Sequence, residues 1–136
     1  MEDMMRYTNG TASAALTLTY ALTLAMTASR ANGQTLTAAE AKNHIGETAT
    51  VCGKAASTHF ASKSTGKPTY INLDQPYLRQ IFTIVIWGQY RSEFGNPEKT
   101  LRDRAVCVTG RIQQFRGLPE VTATKADQIK PKPEKR

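Results

Sequence analysis

The sequence predicts an all-β domain with a minor helical component. It is expected to be a five-stranded barrel with a helix between strands three and four and a short N-terminal helix. The length of 136 residues suits one domain with a modest core. Beyond residue 46, apolar and polar residues alternate with period two in short runs separated by turn-forming residues. This alternation stops over 88–104 and then resumes.

The N-terminal segment differs from the rest of the chain. Residues 12–28 contain no charge and lead into the small residues of 27–31. This arrangement is typical of a secretory signal peptide, so we expect 1–31 to be removed and the protein to be periplasmic or secreted. The alternatives are a core helix and a membrane anchor. Four threonines and a short apolar length argue against a stable span, which needs about 20 mainly apolar residues.

The mature chain is expected to start with a short helical lead-in over 32–46. Within it, Thr37 can cap a run of helix formers, and Gly46 ends that run. The first strand follows over 48–60. Gly53 interrupts this strand, and a bulge or sharp bend is expected there.

Four further strands are predicted along the chain. The second covers 68–73 and the apolar third covers 81–87, with a turn-rich loop between them. A short helix or two fits 88–104, where occasional apolar residues surround a Gly-Asn-Pro break. The fourth and fifth strands cover 105–115 and 119–124. This order, in which a helical connection separates the first three strands from the last two, is that of the OB-fold, a small Greek-key barrel.

The OB-fold barrel is therefore predicted over 47–129. A five-stranded sandwich is the alternative, but it does not explain a helix placed only between strands three and four. The last segment, 130–136, is basic and interrupted by proline, so we expect it to be a flexible tail.

The net charge is +7, from 18 basic and 11 acidic residues. Removing the leader subtracts two basic and two acidic residues, so the net charge stays at +7, from 16 basic and 9 acidic residues. The tail carries +3 of this charge, and residues 32–129 carry +4. A basic chain favours acidic partners such as nucleic acid, although charge alone identifies none. Six Pro and nine Gly are too few for a collagen-like chain, and two Cys are too few for a disulfide-dense one.

Strand alternation predicts one outward face on strands two and three. With Ile71, Leu73, Phe82, Ile84 and Ile86 inside the barrel, the outward residues are Tyr70, Asn72, Thr83, Val85 and Trp87. Tyr70 and Trp87 offer rings for base stacking, which is worth ~1–3 kcal/mol per base. Packing against the following helix is the equally weighted alternative for Trp87. Tyr77, in a loop, is expected to be reachable by a ligand.

Six basic residues are expected to border this face and to contact phosphates. They are Lys54, Lys63, Lys67, Arg79, Arg111 and Arg116. For each of them alone, an ordinary solvated side chain is the competing interpretation.

Cys52 and Cys107 are predicted to form a disulfide. The first and fourth strands are neighbours in an OB barrel, and the adjacent valines point inward, so both cysteines project from one surface. Export would supply an oxidising compartment. Two small buried thiols are the alternative.

No metal, cofactor or catalytic activity is predicted. The two Cys and two His lack paired zinc-ligand spacing. His59 with Glu120 or Asp74 could form an acid–base pair, but no nucleophile motif accompanies them, and the Gly66-Lys67 pair lacks the upstream glycine of a P-loop.

Five motifs carry a resemblance to a known family. They are Gly-Glu-Thr-Ala-Thr-Val-Cys-Gly at 46–53, Lys-Pro-Thr-Tyr-Ile-Asn-Leu at 67–73, Phe-Thr-Ile-Val-Ile-Trp at 82–87, Cys-Val-Thr-Gly at 107–110 and Phe-Arg-Gly-Leu-Pro-Glu at 115–120. With them, residues 44–129 resemble the OB-fold nucleic-acid-binding domains of small exported bacterial proteins. The resemblance implies the fold more strongly than the ligand.

The expected function is non-catalytic binding of single-stranded DNA or RNA. The alternatives are an exported envelope protein whose barrel binds a protein, a glycan or a small ligand, and a structural accessory domain. No stable membrane insertion is expected once the leader is cleaved.

Overall fold

The computed structural model describes residues 33–134, so the predicted signal peptide lies outside the described residues. The strands are β1 (Thr35–Thr37), β2 (Thr48–Phe60), β3 (Thr69–Leu73), β4 (Thr83–Ile86), β5 (Ala105–Arg111), β6 (Gln113–Phe115), β7 (Leu118–Thr122) and β8 (Ile129–Pro131). The helical segments are α1 (Pro97–Thr100) and the 3-10 turns Ala41–Asn43, Gly88–Glu93 and Ala126–Gln128.

The strands form one mixed eight-stranded sheet, and the prediction of a five-stranded OB barrel is wrong. The strand order is β6-β7-β4-β3-β2-β5-β8, with β1 beside β2. β4 and β7 are parallel, as are β1 and β2, while the other pairs are antiparallel. Short β6 and β8 end the path on its two sides. The all-β character is consistent with the prediction.

Three short edge strands account for the difference in strand number. β1 occupies part of the segment predicted to be a helical lead-in, where the helix is reduced to the turn Ala41–Asn43. The predicted fourth strand divides at Ile112 into β5 and β6. β8 includes Lys130 and Pro131, the first two residues of the predicted tail, which pair with β5.

β2 belongs to both halves of the sheet because it is 13 residues long. Its first part pairs with β5 and its last part with β3, and the β3 register shifts between Ala55 and Ser57. A bulge of this kind bends a strand and increases its twist. The bulge predicted at Gly53 lies instead after Ala55, since Gly53 pairs in register with Val106. A Cβ on Gly53 would lie 2.8 Å from Oδ1 of Asp74, so a larger residue would collide with that carboxylate.

The core lies on the inner face of this bent sheet. The five apolar residues predicted to point inward on the second and third strands are all fully buried: Ile71, Leu73, Phe82, Ile84 and Ile86. One cross-strand row of the core is apolar throughout, because Leu36, Val51, Val108 and Ile129 stand opposite one another. Tyr90, Phe94 and Leu101 from the helical connection pack against the core from its margin.

Cys52 and Cys107 form the predicted disulfide. They are directly opposite in the β2–β5 pair, with Cα atoms 4.0 Å apart, and both are largely buried. Such a bond persists in an oxidising environment. No helix among residues 33–134 has the length and apolar character needed to cross a membrane.

Candidate functional site

A row of polar residues crosses five adjacent strands on the outer face of the sheet. Ser57 pairs with Asn72, Asn72 with Thr83, Thr83 with Glu120, and Glu120 with Gln113. We call these five residues the polar row. Their inward-pointing neighbours, such as Ile71, Ile84 and Val121, are fully buried. Alternation therefore directs the whole row away from the core.

Beside the polar row lies a second outward row that contains His59 and Tyr70, which also pair across β2 and β3. A groove of about 630 Å³ lies over the two rows. The residues that line it are Ser57, Thr58, His59, Ala61, Ser64, Tyr70, Asn72, Tyr77, Gln80, Thr83, Phe115, Arg116, Leu118, Pro119 and Glu120. The groove is thus open to ligands over strands β2, β3, β4 and β7.

Hydrogen bonds hold three residues of the polar row, Ser57, Asn72 and Thr83, in place. Nδ2 of Asn72 donates to Oγ of Ser57 at 3.0 Å, and Oγ1 of Thr83 donates to Oδ1 of Asn72 at 2.7 Å. The backbone N–H of Tyr77 also donates to Oγ of Ser57, at 2.9 Å. Asn72 is only 4% exposed, and its amide links Ser57 to Thr83 within the row. The same bonds fix the loop that carries Tyr77.

Three aromatic residues surround the groove. Tyr70 lies half-buried in its floor, while Tyr77 and Phe115 are 68% and 57% exposed. Large exposed rings contribute little to the core, and their faces are available for stacking. Phe115 was not among the predicted site residues. Its place at the end of an alternating strand, beside a Gly-containing turn, was the signal that could have identified it.

Basic residues stand on the three loops that border the groove. Lys63 and Lys67 are exposed in loop 61–67, and Arg79 is exposed in loop 74–80. Arg116 lies in the turn between β6 and β7, with its guanidinium carbon 5.2 Å from the centre of the Phe115 ring. In these loops the one carboxylate, Asp74, accepts a hydrogen bond from the N–H of Lys54 at 2.8 Å.

The turn that carries Arg116 is fixed by its glycine. Phe115 and Leu118 pair, so Arg116 and Gly117 alone form the turn, with φ of 50° and 81°. Positive φ at both central positions is the requirement of a tight two-residue hairpin, and glycine satisfies it without steric cost. Arg116 is consequently held at the tip of the hairpin beside the groove.

Trp87 does not line the groove. It packs against loop 61–67, because a Cβ placed on Gly66 would lie 3.0 Å from two carbons of its ring. The N–H of Gly88 also donates to the carbonyl of Gly66 at 2.8 Å. Trp87 is 39% exposed. The structure thus gives it a packing contact with the loop that holds Lys63 and Lys67.

Lys54 and Arg111 are also outside the groove. Both are exposed on the part of the sheet where β2 pairs with β5, opposite Ala105 and Thr48 respectively. Of the ten predicted contact residues, the groove lining includes Tyr70, Asn72, Tyr77 and Arg116. Lys63, Lys67 and Arg79 stand on its bordering loops.

Two acceptor groups in the groove lack partners. The ion pairs found among residues 33–134 are His44–Glu47 and Arg91–Glu98, so Glu120 belongs to neither. Burial raises the pKa of the Glu120 carboxyl. Oε1 of Gln80 is buried and has no hydrogen-bond partner within the described residues. The alternation of Glu120 with buried Val121 could have identified the carboxylate as outward-facing.

A separate ion pair supports the groove from behind. Arg91 binds Glu98 at 2.7 Å and donates to Oγ1 of Thr69 at 2.8 Å, and its guanidinium lies 3.6 Å from the centre of the Phe60 ring. The hydrogen bond from Arg91 lowers the pKa of Glu98. Because Thr69 and Phe60 pair across β3 and β2, this cluster fastens the helical connection to the groove strands.

Comparisons with known proteins give little further information. No family model matches the chain, and no curated protein matches it. Among solved structures, the chain is similar to a protein described as an aspartyl-tRNA synthetase from Leishmania major Friedlin, with 12% identity and a TM-score of 0.49. That match covers 69% of this chain and 20% of the other.

Proposed function

We propose that this domain binds single-stranded DNA or RNA without catalysing a reaction. The observation that carries the proposal is a groove surrounded by Tyr70, Tyr77 and Phe115 and bordered by three loops that hold exposed cations. Proteins that bind single strands combine the same two features, because bases stack on rings while cations follow the phosphates.

The distribution of charge suggests how a strand would lie. Glu120 faces the groove itself, while Lys63, Lys67, Arg79 and Arg116 stand at or beyond its borders. A phosphate next to Glu120 would be repelled, whereas a neutral base there would not. The bases are therefore expected to enter the groove, with the phosphates directed outward to the loops.

Salt dependence of binding provides the test. A fluorescently labelled oligothymidylate of nine nucleotides is titrated with the protein at several salt concentrations, and anisotropy is measured. Each phosphate contact in a single strand contributes about 0.7 to the slope of log affinity against log salt. Arg116→Ala should reduce the slope by roughly this amount. Absence of binding even at low salt would overturn the proposal.

Arg111→Ala is the matched control. It removes the same charge from the part of the sheet that does not border the groove. We expect it to leave the slope unchanged. Equal effects of Arg116→Ala and Arg111→Ala would indicate attraction by net charge alone and would contradict a binding groove.

Binding of a glycan, a protein or a small neutral ligand is the alternative for the same surface. A carboxylate beside aromatic rings also suits hydroxyl-bearing ligands, and Glu120 is the residue that favours this alternative. Binding of a neutral ligand would be nearly independent of salt. A structural accessory domain would instead show no binding of the oligothymidylate at any salt concentration.

We propose further that the protein acts in an oxidising compartment outside the cytoplasm. The disulfide between Cys52 and Cys107 supports this location, because such bonds are rare in reducing cytosol. Mass spectrometry of the native product should show a chain that begins at Asn32. Retention of 1–31 would contradict export through a cleaved leader.

A further inference from the structure

Hydrogen-bond acceptors outnumber donors on the side of the groove that β4 and β7 form. Glu120 and Thr83 are adjacent across this parallel pair, and Gln80 precedes β4. Neighbouring strands are about 4.8 Å apart, so groups on adjacent strands can contact one flat ligand together. Glu120, Thr83 and Gln80 together form one corner of the groove lining.

Thr83 is oriented as an acceptor toward the groove. Its hydroxyl proton is used in the 2.7 Å hydrogen bond to Oδ1 of Asn72. A hydroxyl has one donor and two acceptor lone pairs, so the groups left free on Thr83 are acceptors. Nδ2 of the same amide donates to Oγ of Ser57, so the Asn72 side chain bridges Thr83 and Ser57.

The other two groups are acceptors without partners. Glu120 has no cation in ion-pair contact among residues 33–134, and its ionised carboxylate can only accept. Oε1 of Gln80 is buried and receives no hydrogen bond from the described residues. A ligand that donates hydrogen bonds to this corner would supply the partner that the Glu120 carboxylate lacks.

Among the common bases, the Watson–Crick edge of guanine has two adjacent donors, N1–H and the 2-amino group. Adenine and cytosine have one amino donor next to a ring acceptor, and thymine or uracil has one N–H between two carbonyl oxygens. The two oxygens of a carboxylate accept two parallel hydrogen bonds, which is the geometry that guanine offers. The other bases would place an acceptor against the carboxylate.

We propose that the groove selects guanine, with the Glu120 carboxylate accepting hydrogen bonds from N1–H and the 2-amino group while the base lies among the aromatic rings. This inference rests on the proposed function, since it names the base for which the single-strand groove is selective. Thr83 would accept from the amino proton that Glu120 leaves free. The raised pKa of Glu120 is in accord with a carboxylate that has lost water without gaining a cation.

The experiment compares nine-nucleotide thymidine strands that differ at the central position. The centre is thymine, adenine, cytosine, guanine or inosine, which is guanine without the 2-amino group. One guanine per strand avoids four-stranded structures. A bidentate contact to a base discriminates by about 1–3 kcal/mol, so guanine should bind about 5- to 150-fold more tightly than thymine. Inosine should lose a large part of this gain.

Glu120→Gln tests the residue. The amide replaces one acceptor by a donor, so we expect the guanine preference, measured as the ratio of guanine-strand to thymine-strand affinity, to fall to less than about threefold. Glu93→Gln is the matched control, because it makes the same change at an exposed position outside this groove. It should leave the preference intact. The inosine comparison uses the unaltered protein and remains decisive if Glu120→Gln fails to fold.

The possible outcomes separate the two proposals. If no strand binds, the proposed function falls and guanine selection falls with it. If all five strands bind with equal affinity, nucleic-acid binding stands and guanine selection is overturned. Equal binding of guanine and inosine, with both preferred over thymine, would overturn the contact to the 2-amino group.

Discussion

The two halves of the sheet share β2 and differ in how their outer faces are built. In the cystine half, formed by β1, β5, β8 and the first part of β2, Thr37, Cys52, Cys107 and Lys130 form one cross-strand row with a covalent bond at its centre. In the groove half, the equivalent position is the polar row, in which hydrogen bonds join Ser57, Asn72 and Thr83. The covalent link and the proposed binding surface thus have separate locations along β2.

Side-chain size explains why one half has a groove. The centre of the cystine half's outer face has the short residues Thr50 and Thr109, whose hydroxyl oxygens are 2.7 Å apart. The long side chains of Lys54 and Arg111 stand at the two ends of the β2–β5 pair. The groove half has tyrosine, phenylalanine and arginine around its polar floor. Short side chains leave a level surface, whereas large side chains at the margin enclose space. The bulge after Ala55 marks the transition between the two.

The largest expected effect is the loss of the disulfide. The double variant Cys52→Ser/Cys107→Ser removes a link that closes a separation of 55 residues. Chain entropy predicts a fall in the free energy of unfolding of up to about 4 kcal/mol. Urea denaturation measures this fall, and oligonucleotide affinity at low temperature should be unchanged. A large loss of affinity in the folded variant would contradict the separation of the halves.

The next effect concerns the ion pair behind the groove. Arg91→Met leaves Glu98 with a desolvated carboxylate and removes the bond to Thr69. We expect a loss of about 2–4 kcal/mol in the free energy of unfolding, somewhat less than for a fully buried pair. Urea denaturation at neutral pH measures it. Lys99→Met, on the adjacent exposed position, is the control and should have little effect.

The pH dependence of that loss is a further check. The pKa of Glu98 is lowered in the folded protein, so the native state releases its proton more readily than the unfolded chain. The stability from the pair is present above 4.5, the ordinary pKa of a glutamate side chain, and is lost as the pH falls through the lowered pKa. The difference between wild type and Arg91→Met should therefore shrink in acid. A constant difference would contradict the role of Glu98.

A smaller change is expected for Tyr77→Ala, and it should affect binding alone. The ring is 68% exposed, so its removal should leave the free energy of unfolding within about 0.5 kcal/mol. Loss of one stacked base would weaken oligonucleotide binding by about 1–3 kcal/mol. Leu78→Ala, at a neighbouring residue that is 81% exposed, should bind as wild type. Anisotropy titration distinguishes the two variants.

The smallest effect is on the stability of the groove itself. The pKa of Glu120 is raised by burial, so its protonated form favours the folded state. That contribution is present below 4.5 and is lost as the pH rises through the raised pKa. At neutral pH, Glu120→Gln should therefore stabilise the domain slightly, within about 0.5 kcal/mol. A measurable destabilisation at neutral pH would show that the carboxylate has a partner.

The sequence was most informative where the structure depends on residues that are close together in the chain. Alternation alone placed Val51, Val106 and Val108 inside, and Cys52 opposite Cys107 followed from that pattern once the two strands were taken as neighbours. The edge strands β1 and β8 were missed because segments of three residues have no periodicity to detect, and β6 was predicted only as the end of the fourth strand. Their pairing depends on the sheet that is already present beside them.

The candidate site was only partly predictable for a related reason. Tyr70, Asn72 and Tyr77 were identified from local patterns, and they do line the groove. The row that joins Asn72 to Glu120 depends on a parallel β4–β7 register between segments far apart in the chain. Trp87 was expected beside Tyr70 because both point outward, but its contact with Gly66 depends on the path of a loop.

The disulfide also makes a covalent ring of the chain between Cys52 and Cys107. This ring contains β3, β4, α1 and the basic loop 61–67. A protease that cuts once after Lys63 would open the ring without separating the molecule into two pieces. The nicked protein would migrate as one band on a denaturing gel until a reductant divided it, so damage at the groove margin need not release either half.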